Sequence, residues 1–124
     1  MLVNGIPQYL QNLKNEKVDL TTANATTLYT VPTEADFNAS VVSSLLVSND
    51  SGSADTITVT ITDASDNVFS LFKTKSISAN GTTELLSAPL VLEESEILKV
   101  TAATANRLHV VLSALQSKPR EVTT

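Results

Sequence analysis

A chain of 124 residues suits one domain with a real core; 42% hydrophobic residues, 4% aromatics and no Trp make that a core of Val, Ile and Leu. A net charge of -5 without a basic stripe excludes a phosphate-backbone ligand, and the lack of cysteine excludes disulfides, thiolate nucleophiles and cysteine-ligated zinc. Charged residues are only 17%, whereas Ser and Thr supply a quarter of the chain.

Residues 1–20 differ from everything that follows. Asn4-Gly5 is a turn signal, and Pro7 suits the first position of a short helix. Ile6, Leu10 and Leu13 then share one face, with Tyr9 alongside, giving an arm that docks on its own domain or on a neighbouring chain. The opening "MLVNGIPQYLQ" has neither a basic leader nor an apolar h-region, so no secretory signal is read there. No apolar run reaches the roughly 20 residues of a membrane-spanning helix.

From Thr26 the period becomes two. "TTLYTV" is a strand closed by Pro32, and "SVVSSLLVSN" (40–49) is a longer one with Val41, Leu45 and Val47 inward. After the loop "NDSGSAD", residues 56–62 alternate Thr with Ile and Val, so one side is dry and the other is a row of hydroxyls. "DASDN" turns into "VFSLFKTKSI", where Phe69 with Leu71, or Val68 with Phe72, forms the buried set. Asn80-Gly81 is a hairpin signal. Short segments at 83–86 and 90–92 flank Pro89; "ILKVTA" (97–102) and "RLHVVLSAL" (107–115) follow, with Leu98, Val100, Leu108, Val110 and Leu112 inward. Seven or eight short strands separated by turn signals give an all-β, antiparallel β-sandwich, jelly-roll-like or immunoglobulin-like. The expected organisation is an N-terminal arm (1–20), a sandwich domain (21–116) and an aperiodic C-terminal tail (117–124).

Catalytic equipment is lacking. His109 is the sole histidine, placed mid-strand opposite in phase to Leu108 and Val110, and no serine sits in a G-x-S-x-G elbow. The carboxylates Asp50, Asp55, Asp63, Asp66, Glu93, Glu94 and Glu96 fall in turns, where they serve backbone hydrogen bonding. The expectation is no enzyme, no catalytic residue, no cofactor and no metal.

The segments "VDLTTANATTLYTVP", "SLLVSNDSGSADTITVTITDAS", "SISANGTTELLSAPLVLEESEILKV" and "ANRLHVVLSAL" resemble a family of small tailed-phage virion proteins over about residues 19–116, departing from its pattern at Glu96 and Thr104. The resemblance implies a capsid decoration (cement) protein on the outer surface of the head. Its expected partners are the major capsid protein and itself, as a homotrimer, with no nucleic acid and no membrane. A tail, baseplate or fibre component is the alternative, and a carbohydrate-binding module a third. Val3, Ile6, Tyr9, Leu10 and Leu13 of the arm are the expected partner-binding residues.

Overall fold

Alternation of apolar and polar residues produces strands throughout the computed structural model, which describes residues 8–33 and 39–120, and only the backbone at 8–10 and 118–120. In chain order these are β1 (Gln8–Asp19), β2 (Thr26–Thr30), β3 (Ala39–Asn49), β4 (Asp55–Thr62), β5 (Val68–Ile77), β6 (Thr82–Glu84), β7 (Leu90–Glu93), β8 (Ile97–Ala102) and β9 (Leu108–Arg120). The first sheet runs β1-β9-β3-β6, with β7 also paired to β3; the second runs β2-β8-β4-β5. Every pairing is antiparallel. Successive strands β1 to β4 alternate between the sheets, which is the interleaved order of a jelly roll and decides between the two sandwich types expected.

The core lies between the sheets. Val42, Leu45 and Val47 of β3 and Val110 and Leu112 of β9 face Ile57 and Val59 of β4 and Leu98 and Val100 of β8, all fully buried. Burying one such side chain contributes about 1.5–3 kcal/mol.

Three expectations change. Residues 8–19 form no helix: β1 pairs with β9 without a break from Gln8↔Arg120 to Asp19↔His109. Lys14 and Glu16, two apart, make an ion pair of 3.0 Å, as same-face neighbours on a strand do and on a helix do not. The same ladder carries the chain past Gln116 as strand to Arg120, where an aperiodic tail was expected. Finally, Val42 rather than Val41 points inward, because a bulge between Val42 and Ser44 shifts the phase of β3 by one residue.

On β5 neither expected buried pair forms: Phe72 packs against the core, while Val68, Phe69 and Leu71 remain exposed on this edge strand. The β4–β5 register slips on both sides of Val59, and Thr74 sits at φ 50° with its amide donating to Thr58 Oγ1 at 3.1 Å. The bulge twists this edge strand, a common way to discourage indiscriminate pairing.

Candidate functional site

Two of the five expected arm residues, Val3 and Ile6, lie outside the described residues, as do Pro7 and the Asn4-Gly5 turn. Tyr9 and Leu10 lie on β1, opposite Pro119 and Lys118. Because a strand changes face at every residue, the helical grouping of these positions does not arise. Leu13 is the exception in usefulness: it stands 84% exposed on the outer face of the first sheet.

That face is organised in rows across the strands. Register pairs Leu13 with Leu115, Leu115 with Val41, and Val41 with Val91, placing one apolar residue on each of four adjacent strands. Val91, at the far end of this row, is 63% exposed. A depression of about 300 Å³ opens beside Leu13 and Leu115, floored by Asn15, Ser43 and Ser113. A second row joins Lys17, Val111, Leu46 and Glu84. The outer face of the second sheet differs: Thr56, Thr58 and Thr60 are half-buried there, with Thr58 opposite Thr101 and Thr60 opposite Lys99. Hydroxyls hydrate that face along β4, and the exposed apolar residues of the second sheet are confined to its edge strand β5, whereas leucine and valine cross the first sheet from strand to strand.

Glu84 is fixed by the bulge in β3. Its carboxylate accepts from the Ser44 hydroxyl, from the Leu45 amide at 2.7 Å and from the Leu86 amide at 3.3 Å. Burial pushes the Glu84 carboxyl up, but these three donors outweigh it and hold it below its usual value.

The expected turn acids have structural partners. Asp63 accepts from the amides of Ser65 and Asn67, both at 2.9 Å, and the Asn67 amide is the main cause holding its carboxyl below the usual value. Asp55 is buried and accepts from the amides of Thr56 and Thr104. In the same loop Asn49 is buried, donating to Ser53 O and Ile77 O while its own oxygen accepts from Ser51. His109 Nε2 lies 3.3 Å from Asp19 Oδ1, its register partner, on open surface. Among the described residues no three His, Cys, Asp or Glu side chains gather as a metal site.

Sequence reasoning missed a polar chain crossing the interior. Asn12 Nδ2 donates to Gln116 Oε1 at 2.9 Å, Gln116 Nε2 donates to the Tyr29 hydroxyl at 2.7 Å, and that hydroxyl shares a 2.5 Å bond with Ser40 Oγ. Tyr29, Ser40 and Gln116 are buried, so the chain ties both sheets together at the open edge between β1 and β2.

The chain matches no protein-family model and no curated protein. A solved structure does share its architecture. It comes from Bacillus endospore appendages, described as a novel family of disulfide-linked pili, and aligns at a TM-score of 0.56 over 95% of this chain and 96% of the other, with 11% sequence identity. At that identity the likeness shows the fold alone. The expected role of capsid decoration is corrected on this finding: the structure that shares the architecture over 95% of this chain comes from a bacterial endospore appendage and not from a phage capsid.

Proposed function

We propose that this chain is a structural subunit that acts by assembling with copies of itself through non-covalent surface contacts, and that it catalyses no reaction. The observation that carries the reading is the outer face of the first sheet, which no other described element covers and where Leu13 and Val91 end a continuous apolar row. Leaving such side chains in water forgoes about 25 cal/mol for every Å² that a neighbour would cover. The full-length likeness to an appendage protein supports the same reading, since a pilus is built from repeated copies. The disulfide linkage named for that relative has no counterpart here, because this chain contains no cysteine. Its contacts therefore depend on area and repetition, where many weak interfaces act together.

The test is to concentrate the purified chain, follow its mass by light scattering and image it by electron microscopy. Ordered oligomers or filaments that persist in reducing agent are expected. A single-chain mass at every concentration, with no assemblies on the grid, refutes the reading.

A further inference from the structure

The two cross-strand rows are complementary to themselves under one particular symmetry. Leu13 and Lys17 stand on β1 at one side of the first sheet, and Val91 and Glu84 stand on β7 and β6 at the other. A two-fold axis lying along the strands, between β9 and β3, turns one copy over onto a second and exchanges the two sides. Each row then faces itself in reverse. Leu13 meets the partner's Val91, Leu115 meets the partner's Val41, and Lys17 meets the partner's Glu84. We propose, building on the self-assembly reading, that the outer face of the first sheet is an isologous interface between two copies of this chain with this geometry.

Charge selects the occupant. Lys17 has no ion-pair partner among the described residues, while Glu84 is a carboxylate held in place by Ser44 and Leu45. One copy supplies both signs at matching positions, so every contact forms twice. A two-fold axis across the strands would instead lay β1 on β1 and set Lys17 over the partner's Leu13, burying a cation against a leucine without a partner. Three strands about 4.8 Å apart and about nine residues long at 3.3 Å each, with the four residues of β7 and three of β6 beside them, cover roughly 540 Å², so two copies bury roughly 1,100 Å² in all, just above the roughly 1,000 Å² a specific contact needs. The second sheet exposes Val68, Phe69 and Leu71 only on its edge strand β5, where Val68 pairs with Thr62 and Phe69 with the buried Ile61, so no exposed apolar row crosses from β5 to β4.

The absence of native cysteine makes the test direct. Within one copy Leu13 and Val91 stand three strands, about 14 Å, apart, beyond the ~7 Å that a disulfide spans, so any bond between cysteines placed there joins two chains. Leu13→Cys mixed with Val91→Cys is expected to give a disulfide dimer on mild oxidation, faster than either variant alone and faster than Leu13→Cys mixed with Lys17→Cys. Lys17→Glu, with an unchanged circular dichroism spectrum, is expected to weaken dimerisation about tenfold or more, as like charges meet, and Lys17→Arg to preserve it. A protein that still self-associates while Leu13→Cys and Val91→Cys fail to join, or while Lys17→Glu changes nothing, overturns this interface and leaves self-assembly standing. A strictly monomeric protein overturns both.

Discussion

Replacing Tyr29 with Phe removes one oxygen atom from the interior and nothing else. That oxygen takes a hydrogen bond from Gln116 Nε2 at 2.7 Å and shares another with Ser40 Oγ at 2.5 Å. Ser40 is fully buried and Gln116 is 5% exposed, so neither orphaned group can turn to bulk water. A buried polar group left unpaired costs about 1–3 kcal/mol, and two of them together about 2–6 kcal/mol, a large share of the ~5–15 kcal/mol that holds a domain folded. Urea unfolding followed by circular dichroism should show this loss with an unchanged slope, and the melting temperature should fall by about 10 °C. The triple variant Tyr29→Phe, Ser40→Ala, Gln116→Leu removes every buried member together, and Asn12, being exposed, regains water. It should recover at least half of the loss, because an apolar replacement of matched shape leaves nothing unpaired. A single variant within about 0.5 kcal/mol of the parent, or a triple variant worse than the single, would show that the chain of hydrogen bonds does not brace the two sheets as described.

Other substitutions separate core from surface. Leu98→Ala in the core should cost about 2–5 kcal/mol, whereas Leu13→Ala in dilute protein should stay within about 0.5 kcal/mol; both are read from chemical unfolding. Asn49→Ala removes the side chain that closes the 49–55 loop and should cost about 2–4 kcal/mol, with faster hydrogen exchange at Ser51 and Ser53. Glu84 and Asp63 both have folded carboxyls held below their unfolded values, so the unfolded chain binds more protons as acid is added. The stability they contribute is present above their ordinary values of 4.5 and 3.8 and is lost as pH falls through the lower folded values. Glu84→Gln should flatten the acid side of the stability–pH profile, measured by urea midpoints; an unchanged acid slope would contradict the assignment.

Strands β4, β8 and β9 were legible because hydrophobic alternation survives in each, and Leu98, Val100, Leu108, Val110 and Leu112 hold the inward phase that alternation gives; the short or exposed strands were marked instead by the turn signals between them. The failures have physical causes. In "QYLQNLKNEKVD" the Gln, Lys and Glu residues are good helix formers and the apolar ones are sparse, so pairing with β9, rather than local preference, makes β1 a strand. The serine pair Ser43-Ser44 gives no warning of a bulge, which reverses the facing of Val41 and thereby completes the outer apolar row. Gln116 carried a signal that went unused: it continues the parity of Leu108, Val110, Leu112 and Ala114, so a polar residue was being sent inward and needed partners. The outer rows themselves were beyond reach, since they join residues from four strands whose register no single segment reveals.

Sedimentation equilibrium of the wild-type chain over a wide concentration range, with and without reductant, tests self-assembly most directly. The expected result is a mass that climbs in whole multiples of the single chain, indifferent to reductant. A mass fixed at that of one chain throughout would contradict the account.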